Sequence, residues 1–446
     1  MNPLIQSPVT SGVTTARRPP AQPRTIEETG VTHELLLQLL IKTIYLMGEL
    51  TEASAVERLK LPYAIVEELL QFARNEKMCE IKGSGGSMLY RYAITDFGIE
   101  RAREYMLFSQ YIGPAPVSLA DYTRTMLEQT VLDVHISREM LEKTTGGIVI
   151  PSETLEQIGE AINSGQPIFL YGEPGNGKTL VAEALGRVLR LMRGGEIYVP
   201  YAVDVDNQIL QVYDPVVHTP IQSDGDDGAG ASPVQENFDS RWVPCQRPIV
   251  FTGGELTLKM LDLTFNTVSK YYEAPPQMKA NSGVFIIDDL GRQMVRPRDL
   301  LNRWIVPLEK RIDYLTLHTG KKFPVPFDTI VLFATNIPPR KLADEAFLRR
   351  IRNKIHVADP TPENYAEIFR QYCERKGVSW DPAGVIHIFD QYYSKHGIRP
   401  RGCHPRDIIE QIVSIAKYLE IPATLSPDLI DRACQSYFLV AQQPLQ

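Results

Sequence analysis

The sequence has no apolar run that approaches the roughly 20 residues needed to cross a bilayer, so we expect no insertion into a membrane. Its five cysteines are scattered and include no C-x-x-C pair, which argues against a disulfide framework and a zinc site. No basic stretch followed by an apolar one begins the chain, so we expect no secretory signal. These absences together favour a protein of the reducing cytoplasm.

Positive charge is also in short supply. Lys and Arg number 47 against 54 Asp and Glu, which gives a formal net charge of −7. Proteins that coat nucleic acid owe most of that affinity to Lys and Arg on phosphates, so the balance disfavours that class. A chain of 446 residues is too long to fold around a single hydrophobic core, so we expect several domains.

A phosphate-binding pattern lies near the middle of the chain. Residues 172–179 fit G-x-x-x-x-G-K-[ST], in which glycines let successive backbone N–H groups turn toward phosphate oxygens. The Lys178 ammonium would reach the β- and γ-phosphates of a nucleotide, and the Thr179 hydroxyl would bind Mg²⁺. The residues predicted to bind the nucleotide here are Gly172, Glu173, Pro174, Gly175, Asn176, Gly177, Lys178, Thr179 and Leu180.

The flanking sequence favours a phosphate site over a glycine-rich turn that binds nothing. Residues 167–171 form a short apolar run typical of a buried strand, and residues 180–189 have helical spacing. A helix that begins near Lys178 would direct the positive end of its dipole at the phosphates. From Pro151 onward, strand and helix patterns alternate, which predicts a parallel sheet.

Two more apolar runs end in polar residues that suit the same chemistry. The run 284–287 is followed by Asp288 and Asp289, and a later run is followed by Asn336. Ligands bind at the carboxyl ends of the strands in open parallel sheets. Asp288 would hold Mg²⁺ through water, and Asp289 would polarise the attacking water. Asn336 would orient water near the γ-phosphate; the alternative is a cap before Pro338.

These motifs resemble the AAA+ ATPase family in order and spacing over roughly residues 148–440. The resemblance implies ATP and Mg²⁺ as ligands, Asn336 as the polar sensor of the γ-phosphate, and a homo-oligomeric ring, a hexamer in the family. A late motif in the family supplies an arginine finger to the neighbouring subunit's site. Arg349 and Arg350 both match that motif.

The resemblance extends to a lid and to a branch of the family. Residues 402–406 resemble the start of the lid helix, so Arg406 would contact the nucleotide from the lid. A β-hairpin predicted over residues 312–326 is similar to the MoxR-type and enhancer-activator branches. The Gly-Ala-Phe-Thr-Gly-Ala loop of the activators is absent, which disfavours transcriptional activation of that kind. The usual second acid of the family is Glu and here it is Asp289, as in replication initiators and helicase loaders.

The amino-terminal part predicts a small separate module. Residues 1–30 are rich in Pro, Thr and Arg, which predicts a disordered tail. Residues 31–112 predict three helices, a hairpin turning at residues 83–86 and a closing helix, which resemble a winged-helix domain. The module has nine Lys and Arg against eleven Asp and Glu, and its third helix carries Glu67 and Glu68. We therefore expect a protein target to dock here, with DNA as the disfavoured alternative.

The rest of the chain divides into a linker at 113–147, the ATPase core at 148–360 and a helical lid at 361–446. The segment 204–252 is unusually long, and its polar stretch at 222–230 is predicted to be either a partner-binding loop or inert filler. Three nearby aromatic residues would either grip a substrate in a central pore or, as we favour, pack against the sheet: Tyr201, Tyr213 and Trp242. Three histidines of the lid lack metal-ligand spacing: His387, His396 and His404.

The predicted fold class is α/β: a three-layer αβα P-loop core with a parallel sheet, a C-terminal all-α lid and an N-terminal winged-helix-like α+β domain. The predicted function is a cytoplasmic, ring-forming AAA+ ATPase that remodels or assembles a protein target. Two alternatives stay open. One is a nucleotide-gated switch that hydrolyses ATP weakly because of Asp289, and the other is a DNA-handling motor or loader.

Overall fold

The computed structural model describes residues 19–85, 89–191, 195–221, 238–342 and 345–438. The amino-terminal module consists of α1 (His33–Met47), β1 (Glu49–Thr51), α2 (Glu52–Leu59), α3 (Tyr63–Asn75), β2 (Cys79–Gly85), β3 (Leu89–Ile94) and α4 (Asp96–Phe108). Its strands form an antiparallel sheet in the order β1-β3-β2. Threonine side chains cap α1, α2 and α4, because Thr32, Thr51 and Thr95 each accept from the backbone N–H three residues later.

The predicted helices and hairpin occur in the predicted order, with two differences: strand β1, which was not predicted, pairs with β3, and strand β2 is longer than expected. Strand β2 continues through Gly85, so most of the predicted turn at 83–86 belongs to the strand. The register shifts between Ile81 and Ser84, and such an irregularity lets a glycine-rich stretch remain paired. The winged-helix assignment of residues 31–112 stays a prediction.

The expectation of a disordered tail over residues 1–30 is wrong from residue 19 onward. Ile26 is buried in the apolar core of the module, and Thr29 is fully buried. The carbonyl of Pro20 accepts a hydrogen bond from the N–H of Asp239, 2.9 Å away. A buried isoleucine and a few backbone hydrogen bonds to distant residues hold the segment in place. The Pro-rich composition of the segment does not reveal these contacts. The first eighteen residues lie outside the described part.

The segment that follows, residues 113–164, is packed against the rest of the chain. Its elements are β4 (Val117–Ser118), α5 (Leu119–Glu128), α6 (Arg138–Thr145) and α7 (Ser152–Asn163). Helices α5 and α6 are separate, because a short 3-10 turn at Val131–Asp133 lies between them. Tyr122 of α5 is fully buried and its hydroxyl accepts from the Asn281 amide, 2.8 Å away.

The central part of the chain supplies two sheets and the helices around them. Its elements are β5 (Ile168–Tyr171), α8 (Lys178–Leu191), β6 (Glu196–Pro200), β7 (Ala202–Val205), β8 (Gln208–Gln211), β9 (Trp242–Gln246), β10 (Ile249–Thr252), β11 (Thr264–Phe265), β12 (Tyr272–Glu273), α9 (Pro276–Lys279), β13 (Gly283–Ile287), α10 (Pro297–Arg303), α11 (Ile305–Lys310), β14 (Ile312–Thr316), β15 (Lys322–Pro326), β16 (Thr329–Thr335), α12 (Pro339–Leu342), α13 (Glu345–Leu348) and β17 (Asn353–His356).

A five-stranded parallel sheet forms the core, in the order β10-β13-β16-β5-β17. Alternate residues of its strands face opposite sides. Ile168 and Leu170 pack with α7 and α8, whereas Phe169 packs with α10 and α11 around Trp304. Helices therefore cover both faces, and the predicted three-layer αβα core with a parallel sheet is confirmed. The predicted hairpin is present as β14 and β15, immediately before β16.

Strands β8, β9 and β10 lie within the described residues of the long segment 204–252. Strands β7 and β8 join β4, β11 and β12 in a second sheet of order β11-β12-β8-β7-β4, and β9 pairs with β6. Trp242 is buried in the apolar cluster of this sheet, and the rings of Tyr201 and Tyr213 meet edge to face at 5.3 Å. Packing is therefore the role the structure gives these aromatics. The polar stretch 222–230 lies outside the described residues.

The carboxyl-terminal part is all helical, as predicted. It consists of α14 (Pro362–Lys376), α15 (Pro382–Ile388) with a π-helical continuation at Phe389–Ser394, α16 (His404–Leu419) and α17 (Pro427–Tyr437). The Nδ1 atom of His404 accepts from the Tyr393 hydroxyl, and the Nε2 atom of His387 bonds Asp431. Among the residues described, no cluster of His, Cys, Asp and Glu suits a metal ion. The same residues include no helix long and apolar enough to span a membrane.

Candidate functional site: a phosphate-binding cleft

The phosphate loop connects β5 to α8 at the carboxyl edge of the parallel sheet. Gly175 has φ +86°, a region that side chains disfavour, and a Cβ there would lie 2.6 Å from the Cys403 sulfur. A Cβ on Gly172 would lie 2.2 Å from the Val357 carbonyl oxygen, beside the last strand. Helix α8 begins at Lys178, as predicted, so its N-terminal N–H groups face the loop.

Lys178 is held inside the loop by the loop's own backbone. Its side chain is nearly buried, and Nζ donates to the carbonyl oxygens of Gly172 at 3.0 Å and Glu173 at 2.8 Å. Burial lowers the pKa of Lys178, while the nearby carboxylates of Asp288 and Asp289 oppose that shift. The ammonium is therefore held at a place where phosphate oxygens could replace the two carbonyls as acceptors of its hydrogen bonds.

Thr179 and Asp288 lie side by side, as the magnesium prediction requires. The Thr179 hydroxyl donates to Oδ2 of Asp288 at 2.7 Å, and Oδ1 of Asp288 accepts from the backbone N–H of Asp289 at 2.9 Å. A hydroxyl and a carboxylate are hard oxygen donors of the kind Mg²⁺ prefers beside phosphates. The residues present thus fit a magnesium ion bound between this pair and a nucleotide.

Asp289 and Asn336 come together from the ends of the neighbouring strands β13 and β16. The Asn336 amide donates to Oδ1 of Asp289 at 3.1 Å. Asp289 has φ +50°, a left-handed conformation that few residues other than Gly adopt and that Asp tolerates. Such local strain persists only where surrounding contacts hold it, and it is common at functional sites.

A cleft of about 760 Å³ joins these residues. A volume of this size accommodates a nucleotide-sized ligand. The predicted residues that line it are Pro174, Gly175, Asn176, Gly177, Lys178, Thr179, Leu180, Asp288, Asp289, Asn336 and Arg406, whereas Gly172 and Glu173 contribute backbone behind the lining.

Arg406 reaches the cleft from the lid side, in the first turn of α16. Its side chain is half exposed, and Nε donates to Oδ1 of Asp407 at 2.8 Å. That hydrogen bond raises the pKa of Arg406. The structure therefore brings Arg406 to the predicted cleft, on the side opposite the sheet.

Arg349 and Arg350 do not line the cleft of their own chain. Arg349 is exposed and pairs with Glu345 of its own helical turn at 3.0 Å, whereas Arg350 pairs with Glu309 at 2.8 Å. Asp344, in the same predicted motif, lies outside the described residues. A finger that acts on a neighbouring subunit would lie away from its own cleft, and that role stays a prediction for both arginines.

Sequence reasoning missed a polar network that links the phosphate loop to the lid. Oδ1 of Asp359 accepts from the Asn176 amide at 2.7 Å and from the Arg401 guanidinium at 2.6 Å. The Asn176 side-chain oxygen accepts in turn from the N–H of Gly402 at 3.3 Å. These residues are 183 and 42 positions apart along the chain. No local sequence pattern predicts such contacts. The position of Arg401 directly before the lid motif could have suggested that it lies near the phosphate loop.

A second set of missed residues also lines the cleft. Residues 146–151 contribute to the lining and add apolar surface from Ile148 and Ile150. The Arg375 guanidinium lies 5.3 Å from the centre of the Tyr372 ring and donates to the carbonyl of Gly147 at 2.9 Å. Apolar and aromatic lining of this kind suits the base of a nucleotide whose phosphates lie at the loop.

One family model matches part of the chain: a domain of unknown function, DUF8689, over residues 361–436. No curated protein matches. The solved structures similar to this chain include NtrX from Brucella abortus with ADP, at 13% identity and TM-score 0.41, over 69% of this chain and 59% of that one. NtrX from the same organism with ATP has 12% identity and TM-score 0.39, over 82% and 63% of the two chains.

The RuvB Holliday junction branch migration motor from Thermotoga maritima is similar at 12% identity and TM-score 0.36, over 67% of this chain and 73% of that one. This chain spans less than two thirds of the length of either NtrX structure. At these identities and scores, the functional argument rests on the cleft and its side chains.

Proposed function

We propose that this protein is an AAA+ ATPase that binds ATP with Mg²⁺ and hydrolyses it to ADP and phosphate. The observation that carries the proposal is the convergence of three distant segments on one cleft. Lys178 and Thr179 come from the phosphate loop, Asp288 and Asp289 from the end of β13, and Asn336 from the end of β16. This set supplies the phosphate-binding, metal-binding and water-orienting groups that one chain contributes to phosphoryl transfer to water.

Each side chain has a separate task in that reaction. The Lys178 ammonium and the N-terminal N–H groups of α8 stabilise negative charge on the β- and γ-phosphates. A magnesium ion held through Thr179 and Asp288 would supply further charge neutralisation. Asp289 accepts a proton from, or polarises, the attacking water, and Asn336 holds Asp289 and that water in line with the γ-phosphate.

The proposed assembly is a homo-oligomeric ring, a hexamer, in the cytoplasm. Its support is the position of Arg349 and Arg350, outside the cleft of their own chain, together with the AAA+ resemblance. Arg349 is largely exposed, so a neighbouring subunit can approach it. An arginine supplied in trans makes the site complete only when chains associate head to tail.

We propose that the module at residues 31–112 recruits a protein target rather than DNA. The amino-terminal end of α3 presents the exposed ring of Tyr63, whose hydroxyl donates to Glu52, and the next turn carries Glu67 and Glu68. A helix that reads a major groove needs cations at this position. The acidic surface would repel phosphates and suits a basic or neutral protein surface.

A nucleotide-gated switch is the second candidate, and one observation favours it. Asp289 has a shorter side chain than the Glu usual in the family, and its Oδ1 already accepts from Asn336. A carboxylate on a shorter side chain that already accepts a hydrogen bond activates water less well. Such a protein would bind ATP with Mg²⁺ tightly and turn it over slowly.

The proposal is tested by nucleotide binding to the purified full-length protein in the presence of Mg²⁺. We expect saturable ATP binding, and we expect Lys178→Ala to weaken it severely because the β- and γ-phosphates lose their ammonium partner. Lys395→Ala removes an exposed lysine of the lid and serves as the matched control. Equal binding by wild type and Lys178→Ala, or no ATP binding by the wild type, would overturn the proposal.

A further inference from the structure

The turn that follows Asp289 is held rigidly against the sheet. The N–H of Arg292 donates to the carbonyl of Asp289 at 3.0 Å, and the N–H of Leu290 donates to the carbonyl of Ala334 in β16 at 2.8 Å. Gln293 is nearly buried, and its amide donates to the carbonyl of Asp288 at 3.1 Å. The backbone of residues 288–293 is therefore fixed relative to the cleft.

The side chain of Arg292 projects from this turn without a partner of its own. It is exposed and lines the same cleft as Thr179, Asp289 and Asn336. Within the described ranges, its guanidinium has no hydrogen bond or ion pair, although the carboxylates of Asp288 and Asp289 are close along the chain. Those carboxylates are engaged by Thr179, Asn336 and a backbone N–H instead.

We propose that Arg292 binds the γ-phosphate of the nucleotide in its own chain's cleft, an inference that rests on the proposed ATP binding. A guanidinium offers paired N–H donors that match two phosphate oxygens, and such charge-assisted bonds are among the stronger ones in proteins. Its position next to Asp289 and Asn336 places it at the end of the cleft where the terminal phosphate lies. Lys178 approaches the phosphates from the loop after β5, at the same carboxyl edge of the sheet.

This assignment makes a specific demand on the ligand. ADP lacks the γ-phosphate, so Arg292 would contribute to the affinity for ATP and not to that for ADP. An arginine that only maintained the fold would change both affinities together. The ratio of ATP affinity to ADP affinity therefore separates a phosphate contact from a structural role.

The experiment measures the affinities of full-length protein for ATP and for ADP with Mg²⁺, by competition with a fluorescent nucleotide. Arg292→Ala should weaken ATP binding by about tenfold or more, the effect of losing a charge-assisted hydrogen bond, and should leave ADP binding within about twofold. Arg292→Lys should recover part of the ATP affinity, because it restores the charge without the paired donors.

Arg296→Ala is the matched control, since Arg296 is exposed in the same loop and does not line the cleft. Its affinities should equal those of the wild type. Equal losses for ATP and ADP in Arg292→Ala, or no loss for either, would overturn the assignment while wild-type ATP binding left the proposed function intact. A wild type that binds no ATP would overturn both.

Discussion

The carboxylate of Asp359 is shared between Arg401 and Asn176, at 2.6 Å and 2.7 Å from the same oxygen. Asp359 lies between the last strand of the parallel sheet and the first helix of the lid, Arg401 belongs to the lid and Asn176 to the phosphate loop. A second guanidinium nitrogen of Arg401 lies 3.3 Å from Glu173 in the same loop. Two ion pairs of Arg401, with Asp359 and with Glu173, thus connect the lid to the residues that surround the phosphates.

We expect Arg401→Ala to raise the KM for ATP with a smaller change in kcat. Without Arg401, the phosphate loop and the lid lose the ion pairs that connect them. Part of the free energy of ATP binding must then be used to order these two segments. Both side chains are partly exposed, and the expected loss is about 1 kcal/mol, or about fivefold in KM. Steady-state kinetics check this, with the exposed Arg432→Ala as control. A KM within about twofold of the wild type would contradict the anchoring role.

Arg241 should be important for stability rather than for nucleotide chemistry. Its ion pair with Asp239 is buried, with side chains 3% and 4% exposed, and its guanidinium also donates to the carbonyls of Thr29 and Pro116. Arg241→Ala would leave a buried carboxylate without its cation, at a cost of about 3–5 kcal/mol in the free energy of unfolding.

Urea unfolding measures this cost, and the matched control is Arg138→Ala. Arg138 pairs with glutamates at the surface, where its side chain is 66% exposed, and an exposed pair of this kind contributes at most about 1 kcal/mol. Similar unfolding midpoints for the two variants would show that the buried contacts of Arg241 contribute no more to stability than an exposed ion pair does.

Acid should destabilise the fold through two buried histidines. Burial lowers the pKa of His218 to about 4, and burial also lowers the pKa of His404 to about 4. The unfolded chain therefore takes up protons that the folded chain excludes. Stability is fully present above about pH 6.5 and falls from there toward pH 4, by about 1.4 kcal/mol per pH unit for each histidine.

The chemical reason is clearest at His218. Its Nδ1 atom accepts from the N–H of Asp214 and its Nε2 atom bonds the carbonyl of Lys279, so a second proton would remove an acceptor. His218→Gln should reduce the slope of unfolding free energy against pH between 6.5 and 4.5. His135→Gln, at an exposed position, should not. An unchanged slope in His218→Gln would contradict the assignment of the shift to this residue.

The sequence predicted the parts of the site that local patterns encode. Lys178 and Thr179 follow from one contiguous motif, and Asp288 and Asn336 each follow a short apolar run typical of a buried strand. The network around Asp359 was missed because its partners are distant in the chain and meet only after the sheet and lid assemble. The ordered segment near Ile26 was missed for a related reason, since one apolar residue anchors an otherwise polar stretch.

The amino-terminal helices were predictable because apolar spacing and capping threonines agree there. The second sheet was not predictable from the sequence. Its strands β7, β8 and β12 have only two to four residues, and buried and exposed positions do not alternate regularly along them. Short strands take their structure from partners elsewhere in the chain rather than from their own pattern. The sequence favoured packing for Trp242 and Tyr201, but their packing partners became visible only in the structure.

The proposed finger predicts that activity depends on association between chains. Arg349→Ala or Arg350→Ala should bind ATP yet turn it over more slowly, since an arginine supplied in trans contributes about 10³–10⁵ in rate. Mixing the damaging variant with Lys178→Ala should restore part of the activity, because one interface then combines an intact loop with an intact finger. A mixture that co-assembles and stays inactive would contradict a shared site.

The most direct test of the account is phosphate release from ATP by the purified full-length protein. With Mg²⁺ present, we predict sustained turnover by the wild type, loss of turnover in Lys178→Ala, and loss of turnover with retained ATP binding in Asp289→Asn. Retained binding in Asp289→Asn is expected because that side chain acts on water and not on the nucleotide. Wild-type turnover in Lys178→Ala, or turnover that survives in both variants, would show that the reaction does not take place in this cleft.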